Sequence, residues 1–464
     1  MSDGGGRARL KSRLGFLMLA AGCAVGLGNV WRFPFVVGQN GGAAFVLVYL
    51  AFLVLLGFPL LVAELAMGRA ARSGISGAMR KLADARRRRF WAAAGNVIFA
   101  GNFLLMFYYT DVAGWLLKYS GDYLRGAGRT DFAALAGSPA VCTGYLALVV
   151  AVATAVCSLG VQRGVERVTK WMMLALLALL GVLAAKSLSL PKAAEGLRFY
   201  LSPDWAKFAS HPWKAVFDAM GQAFFTLSTG VGCMTIFGSY VGRERSLALE
   251  SAWIIAIDTA VAVLAGLVVF PACASFGVDV TSGPGLIFEA LPIVFEHMAG
   301  GRVWGFVFFL FLSLAALTTI IAVFECIIGG IIDETGRSRV KTALAVGVVV
   351  TACSLPTVLF RHVLACEDFI FGQFWLPLGA LFICIFVTRS CGWGYNAFEQ
   401  EASAGEGMAF PAVFGALMRY VVPFLILATM ATGLLGLKAK PRQPATAETA
   451  VEPLKNADAP RTSR

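Results

Sequence analysis

Charged residues are scarce in this 464-residue sequence. Asp, Glu, Lys and Arg make up 14% of it, whereas hydrophobic residues make up 58% and Phe alone occurs 36 times. Because soluble globular domains contain about 25% charged residues, this composition argues against a soluble domain. The apolar residues are concentrated in runs long enough to cross a bilayer as helices. The sequence therefore predicts an all-α polytopic membrane protein.

Histidine is also rare, and the cysteines form no metal-binding pattern. The chain has three His and ten Cys, but no HExxH motif and no CxxC pair. Most of the cysteines lie inside apolar runs, where a thiol behaves as a small hydrophobic group. We therefore expect neither structural disulfides nor a metal or redox centre built on these residues. No nucleophile stands beside a base either, so we expect no enzymatic activity.

Eleven apolar stretches meet the criterion of about 18 or more residues with few charges. The fifth is the weakest, because its uncharged core at 171–185 is short. After the last stretch, residues 438–464 are rich in proline and predict a disordered tail. The predicted spans are 14–37, 43–68, 91–118, 140–160, 168–186, 214–242, 247–276, 303–332, 341–360, 367–389 and 415–437.

Basic residues predict the orientation of these spans, because Lys and Arg accumulate in cytoplasmic loops. They cluster in the amino-terminal arm 1–13, at Arg86 to Arg89 and in the later even-numbered loops. The net charge of +12 therefore reflects the orientation of the spans in the membrane, and we expect no nucleic-acid partner. The amino terminus is predicted inside and, with eleven spans, the carboxyl terminus outside. The connection 277–302, interrupted by prolines, is a candidate external lid.

Two predicted spans combine glycines with polar residues where a lipid-facing helix would have neither. One segment is 22–29 in the first span, and the other is 222–232 in the sixth. Since glycine costs about 1 kcal/mol against alanine in a helix, each segment is predicted to break its helix. For either segment alone, glycines that merely allow tight helix packing are the alternative.

The two broken spans occupy matching places in the chain. Each opens a group of five helices, 14–186 and 214–393, and an external connection at 187–213 joins the two groups. Two such halves have opposite orientations, which is the inverted repeat of many secondary transporters. A loop and an eleventh helix follow at 394–437. The breaks are predicted to meet near the bilayer midplane, where free backbone groups bind ions and substrate.

Acidic residues inside spans need a partner, because a charge at the bilayer centre costs about 2.5–3.5 kcal/mol on insertion scales. Asp258 lies mid-span with no basic residue in its own helix, and a bound cation would neutralise it. Glu64 is expected to pair with backbone groups of a broken helix. Ala315, Thr318 and Thr319 share one helical face, where the hydroxyls either bind a ligand or bond their own backbone.

Several motifs resemble the signature of the neurotransmitter:sodium symporter family, and the resemblance extends from about Arg7 to Leu437. It implies the leucine-transporter fold, a 5+5 inverted repeat here followed by one extra helix, with two Na⁺ ions and an amino acid bound between a core bundle and a scaffold. The motifs are 24–34 (AVGLGNVWRFP), 40–45 (NGGAAF), 64–69 (ELAMGR) and 222–228 (QAFFTLS).

Carried over by position, this resemblance implies two sodium sites made of oxygen ligands. Asp258 stands where many relatives have Asn, and Ala262 stands where animal members have a Ser beside a chloride ion. A fixed carboxylate could supply the missing negative charge, so we expect chloride-independent transport. The first site would use Ala24, Asn29, Thr226 and Asp258, and the second Gly22, Val25, Ala315, Thr318 and Thr319.

The same resemblance implies an amino acid held between the two breaks. Main-chain N–H groups and the Tyr109 hydroxyl would hold its carboxylate, and carbonyls around Phe225 and Ser228 its ammonium group. No charge lies in the side-chain pocket, so a neutral hydrophobic substrate, aliphatic or aromatic, is expected. The implied substrate residues are Ala24, Gly26, Leu27, Gly28, Leu105, Tyr109, Phe225, Thr226, Ser228, Val231, Thr319 and Val323.

Two gates are implied as well. Arg32 and Asp368 would form the outer ion pair, and Arg7 and Asp333 would pair near Tyr240 on the inner side. The implied activity is sodium-coupled import of an amino acid by alternating access across a bacterial cytoplasmic membrane, with the lipid bilayer, sodium and the amino acid as partners. A non-transporting amino-acid sensor and a proton-coupled transporter remain alternatives. The sequence makes no prediction of an oligomeric state.

Overall fold

The computed structural model of the protein describes residues 10, 12–127, 130–280 and 285–436. Within these ranges the chain is helical and forms no β-strand. The main helices are numbered α1 to α17 in chain order. Those of the first half are α1 Arg13–Ala24, α2 Gly28–Gln39, α3 Ala43–Ala71, α4 Ile75–Leu82, α5 Arg88–Arg125, α6 Pro139–Ser158 and α7 Val161–Leu188.

The second half repeats a short helical pair followed by long helices. After the connecting helix α8, the short pair consists of α9 and α10, which are separated by the segment 227–232. The helices are α8 Ala193–Leu201, α9 Pro212–Thr226, α10 Cys233–Gly238, α11 Leu247–Phe276, α12 Leu286–Ala290 continued by Leu291–His297, α13 Gly301–Thr335, α14 Arg339–Leu359, α15 Arg361–Thr388, α16 Tyr395–Ala402 and α17 Val413–Gly433.

Nine of the described helices are long and apolar enough to cross a membrane, and α1 with α2 forms a tenth candidate, bent by 56°. The predicted sixth span is divided between α9 and α10 and is not among these ten. The total of eleven spans therefore stays a prediction. Most predicted boundaries agree with the helices to within a few residues, but α5 ends at Arg125 instead of residue 118 and α15 begins at Arg361 instead of residue 367.

The fifth predicted span begins earlier than expected, at Val161 instead of residue 168. The added turns contain Glu166, which is buried despite its charge. Its Oε1 accepts hydrogen bonds from the backbone N–H of Ser12 at 3.1 Å and from the Ser12 hydroxyl at 3.2 Å. The prediction was based on runs of apolar residues and therefore excluded the turns around the charged Glu166. It began the helix too late because the sequence does not show that a distant residue satisfies this carboxylate.

Helix α13 lies at the centre of the molecule. Buried residues make up 72% of its most apolar window, against 28–56% in the eight other single spans. It packs against α1, α5, α6 and α7, and α1 also packs against α7 and α11. The first broken span is therefore enclosed by long straight helices, which lets its exposed backbone groups meet protein atoms and not lipid.

The candidate lid contains helix α12, which packs against Trp31 of the first broken span. The Phe288 ring lies 6.2 Å from that of Trp31 and 4.9 Å from that of Phe132, and the Tyr119 hydroxyl donates to the Phe288 carbonyl at 2.8 Å. Residues 281–284 of this connection lie outside the described residues. The position of α12 is compatible with a lid, and its external location stays a prediction.

Candidate functional site

The break in the first span follows from close contacts at its glycines. Helix α1 ends at Ala24 and α2 begins at Gly28, after Val25 has taken an extended conformation. A Cβ atom on Gly26 would lie 2.7 Å from the Tyr109 hydroxyl oxygen and 2.9 Å from that of Thr319. Only glycine fits so close an approach. Because α1 and α2 are also bent by 56° relative to each other, the segment 22–29 contains a true break, as the sequence predicts.

The break between α9 and α10 contains three residues with positive φ: Ser228 at 49°, Gly230 at 102° and Gly232 at 75°. Its backbone is held by Glu64 of α3, a fully buried carboxylate whose Oε1 accepts the Gly230 N–H at 2.7 Å. The expected pairing of Glu64 with a broken helix is confirmed. The carboxylate supplies the acceptor that a helical carbonyl would otherwise provide.

Three residues of the first predicted sodium site form one buried cluster that joins both broken spans to α11. The Asn29 amide donates to Asp258 Oδ1 at 2.8 Å and to the Thr226 hydroxyl at 3.1 Å, and Thr226 donates to Asp258 Oδ2 at 2.8 Å. The fourth residue, Ala24, is the last of α1, where helical carbonyls lack intrahelical donors.

The chemistry of this cluster suits a hard monovalent cation. Carboxylate, amide, hydroxyl and carbonyl oxygens are the ligands that such ions prefer. Within the described ranges no Lys, Arg or His forms an ion pair with Asp258, whose side-chain partners are Asn29 and Thr226. A cation at this place would therefore balance a buried negative charge.

The five residues of the second predicted sodium site also come together. The Thr319 hydroxyl lies 3.3 Å from the Gly22 carbonyl oxygen, 3.2 Å from that of Val25 and 3.3 Å from that of Ala315. The Thr318 hydroxyl lies 2.9 Å from the Ala315 carbonyl. Thr318 thus bonds its own helix, whereas Thr319 also reaches across to α1. The result is an uncharged group of oxygens between α1 and α13.

A cavity of about 330 Å³ lies beside the first break. The Tyr109 hydroxyl on its wall accepts a hydrogen bond from the Leu27 N–H at 3.1 Å. Four of the predicted substrate residues line this cavity, while Leu105, Val231 and Val323 are buried but are not part of its lining. The lining residues are Leu27, Gly28, Trp31, Arg32, Phe35, Tyr108, Tyr109, Val112, Phe225, Leu364, Ala365 and Asp368.

Ser228 lies away from this cavity, at the second break. Its hydroxyl donates to the Cys23 carbonyl at 3.4 Å, which links the start of the second break to the last turn of α1. The two breaks are therefore in direct contact through this bond and through the Asn29–Thr226 pair at 3.1 Å. This contact between the breaks agrees with their predicted meeting point.

The predicted outer gate residues face the same cavity without touching. The Arg32 guanidinium lies 4.7 Å from the centre of the Phe225 ring, and in the described part of the chain it forms no direct ion pair with Asp368. Both residues line the cavity. The two residues thus share one cavity without an ion pair, and their role as a gate stays a prediction.

Of the predicted inner gate, Arg7 lies outside the described residues. Asp333, at the end of α13, accepts hydrogen bonds from the Gly74 N–H at 2.8 Å and the Ser73 hydroxyl at 3.2 Å. Tyr240 donates to Glu325 Oε1 at 2.6 Å. Asp333 thus holds the segment 73–74 against α13, whereas Tyr240 bonds Glu325 of the same helix.

Sequence reasoning missed two charged residues at this inner end. Glu325 is fully buried in α13, and the Arg339 guanidinium forms an ion pair with its Oε2. The rule that an ionisable residue inside a span needs a partner would have found Glu325, since it lies within the predicted span 303–332. Arg339 carried no comparable signal, because it stands in a basic loop.

Comparison with known proteins extends this picture. A model of the sodium:neurotransmitter symporter family matches residues 7–125 and 137–444. The chain is 33% identical to YhdH of Bacillus subtilis, an uncharacterized sodium-dependent transporter, over 90% of this chain and 95% of that one. It is 30% identical to an uncharacterized sodium-dependent transporter of Haemophilus influenzae over 92% and 98%, respectively.

A solved structure shows the same architecture. The crystal structure of MhsT in complex with L-phenylalanine matches with a TM-score of 0.81 and 34% identity, covering 92% of this chain and 100% of that one. The predicted leucine-transporter fold is thereby confirmed. The protein belongs to the sodium:neurotransmitter symporter family, which consists of sodium-dependent membrane transporters and not of enzymes.

Proposed function

We propose that the protein imports a neutral hydrophobic amino acid together with two sodium ions, without chloride, across a bacterial cytoplasmic membrane. Its amino terminus would face the cytoplasm and its carboxyl terminus the outside. The observation that supports this most strongly is the convergence of oxygen atoms from α1, the two breaks, α11 and α13 beside one cavity. Such clusters at interrupted helices are where secondary transporters bind ions and substrate together.

The second sodium site would act as a latch between α1 and α13. A sodium ion there would draw the carbonyls of Gly22, Val25 and Ala315 toward the hydroxyls of Thr318 and Thr319. Its loss would remove attraction between the inner half of the first broken span and the straight helix α13. Release of this ion would therefore favour movement of α1 away from α13 and opening to the inside.

The first sodium site carries its own countercharge in Asp258. A sodium ion bound to Asp258 leaves no net positive charge before the substrate carboxylate arrives. Ala262, one turn later in α11, is fully buried and has no hydroxyl that could bind an anion. Three similar mammalian proteins are GABA transporters described as sodium- and chloride-dependent. A resident carboxylate in place of a chloride ion supports chloride-independent transport.

The substrate proposal depends on the cavity walls. Leu27, Val112 and Phe225 are apolar, and the charged residues Arg32 and Asp368 lie across the space from each other. A carboxylate near the Tyr109 hydroxyl would also meet N–H groups of the first break, and its side chain would extend toward Leu105, Val231 and Val323. A charged side chain would lose its hydration there without gaining a partner. The related MhsT structure contains L-phenylalanine.

Transport would follow from closure of the gates around the bound cargo. Substrate and sodium share the first break, so binding of one raises the affinity for the other. The gap between Arg32 and Asp368 would close over the substrate, and release of the inner contacts at Asp333 would then open the opposite side. Alternating access of this kind needs only rocking of one bundle against the other.

The test is uptake of labelled amino acids into proteoliposomes that contain the purified protein. An inward sodium gradient should drive accumulation of leucine and phenylalanine but not of lysine or glutamate, and replacement of chloride by gluconate should leave most of the uptake. Sodium-dependent binding without uptake would support the sensor instead. Uptake that is driven by a pH gradient in the absence of sodium would support proton coupling through Asp258.

A further inference from the structure

A buried amide on α5 bonds the second break at a backbone group next to the one that Glu64 holds. Asn102 is fully buried, and its Nδ2 donates to the Val231 carbonyl at 2.9 Å and to the Phe99 carbonyl at 3.0 Å. Its Oδ1 accepts a hydrogen bond from the Cys233 thiol at 3.0 Å. Both polar atoms of the side chain are therefore satisfied; one bond reaches the break and another reaches Cys233, the first residue of α10.

Val231 depends on this contact because its own backbone has no regular partner. It lies between Gly230 and Gly232, which both have positive φ, so no helical ladder fixes its carbonyl. On one side the Gly230 N–H is held by Glu64, and on the other the carbonyl is held by Asn102. The two side chains together determine where the Val231 residue lies.

Asn102 is also in line with the substrate contacts of α5. Asn102, Leu105 and Tyr109 have the spacing i, i+3 and i+7, which places them on one face of the helix. Tyr109 bonds the Leu27 N–H of the first break, as Asn102 bonds the Val231 carbonyl of the second. Helix α5 thereby bonds both breaks and fixes the distance between them, and the proposed substrate would lie in this space.

We propose that Asn102 is a positioning residue that sets the depth of the hydrophobic pocket by fixing the Val231 carbonyl, and that it thereby selects substrates by side-chain size. This inference rests on the proposed function, since it concerns the same pocket. Asn102 does not touch the substrate. Its effect passes through Val231, whose side chain would lie at the closed end of the pocket.

Loss of the Asn102 amide should loosen the floor of the pocket. Small and medium side chains would then lose packing, while the bulkiest ones would gain room. In Asn102→Ala we expect the KM for valine and leucine to rise about tenfold, as for loss of one buried hydrogen bond, with little change in the KM for tryptophan. Vmax should change little, because the lost interaction is present throughout binding.

The experiment compares KM and Vmax for alanine, valine, leucine, phenylalanine and tryptophan in proteoliposomes. Asn102→Ser keeps a short donor and should recover part of the discrimination, whereas Asn102→Asp keeps the acceptor for Cys233 but places a carboxylate against the Val231 carbonyl. Cys233→Ala removes only the thiol and should retain the selectivity. Ser313→Ala is the matched control, because that buried hydroxyl bonds only its own helix, at 2.7 Å to the Phe309 carbonyl.

Two results would overturn the inference. The first is an unchanged ratio of the KM values for leucine and tryptophan in folded Asn102→Ala. The second is that all five KM values change by the same factor and that the sodium concentration required for uptake changes as well. If Asn102→Ala does not fold, the Asn102→Ser and Asn102→Asp pair decides, and an equal selectivity of the two rejects the role of the donor. Failure of the wild type to transport any of the five amino acids would instead reject the proposed function.

Discussion

The proposed independence from chloride depends on one residue, Asp258. It is fully buried, bonds Asn29 and Thr226, and is followed one turn later by the apolar Ala262. If this charge replaces a chloride ion, its removal should create a need for one. Asp258→Asn should lose most uptake, and the double variant Asp258→Asn with Ala262→Ser should regain uptake that depends on chloride.

The measurement is initial uptake with chloride or gluconate as the anion. Asp218→Asn is the matched carboxylate-to-amide control, because Asp218 is not part of the cluster. It pairs at 2.5 Å with the exposed Lys214 and accepts the Asn40 amide at 3.0 Å, a bond that an asparagine oxygen can still accept. It should leave both the rate and the chloride independence unchanged. A wild-type protein that loses most activity in gluconate would show that the Asp258 carboxylate does not replace the anion.

Thr319 carries a comparable prediction for sodium. Its hydroxyl is the side-chain oxygen that bridges α13 to the carbonyls of Gly22 in α1 and of Val25, the residue that follows α1. Thr319→Val keeps the shape but removes the oxygen, so the sodium concentration for half-maximal uptake should rise about tenfold or more, as expected for the loss of one ligand bond. Thr319→Ser should stay near the wild type.

The sodium dependence of uptake at saturating substrate measures this effect. Thr342→Val is a suitable control, since Thr342 is buried in α14 and bonds only the preceding turn, at 3.0 Å to the Ser338 carbonyl. Equal sodium curves for Thr319→Val and the wild type would mean that the oxygen cluster between α1 and α13 binds no sodium.

Glycines at the helix breaks differ from glycines in straight spans, because a side chain at a break would collide with neighbouring residues. At Gly26 a methyl group would collide with the hydroxyls of Tyr109 and Thr319, whereas at Gly181 in α7 it would meet nothing within 4 Å. Gly26→Ala should therefore abolish uptake, while Gly181→Ala should retain it and gain up to about 1 kcal/mol in stability from its helix.

Uptake rates and thermal unfolding in detergent, measured side by side, test this contrast. Because Gly26→Ala acts at the meeting point of substrate and second sodium site, it should also remove sodium-dependent stabilisation against heat. Full transport by Gly26→Ala would show that the first break has space for a side chain and that its geometry is less constrained than the contacts indicate.

Most helices could be predicted from the sequence because length and apolar content alone determine a span. The early start of α7 is one exception, because it depends on Glu166 being satisfied by Ser12, 154 positions away. The two breaks could be predicted because glycine and polar residues stand out in an apolar run. Asn102 could not, because an amide in a span shows nothing of a partner at Val231, 129 positions further along the chain.

At the scale of the whole molecule, the contacts at the cavity differ from those at the end of α13. A cavity separates Arg32 from Asp368, whereas Asp333 ties the end of α13 to the turn before α4 through Gly74 and Ser73. Alternating access requires that weakening one end favours opening there. Neutralising Asp333 should therefore shift the population toward states that are open to the inside.

Asp333→Asn tests this, with Glu334→Gln as the control because Glu334 is the adjacent carboxylate and pairs at 2.5 Å with Arg80 at the surface. The native thiol of Cys23, fully buried in the last turn of α1, serves as the reporter once the other cysteines have been replaced by alanine. Sodium is present in both measurements.

A membrane-impermeant maleimide supplied from the cytoplasmic side should label Cys23 faster in Asp333→Asn than in Glu334→Gln. The affinity for substrate should fall in Asp333→Asn, because a larger share of the molecules would be in states that do not hold the substrate. Equal labelling rates with unchanged affinity would mean that the Asp333 contacts stabilise the fold without controlling which side of the site is open.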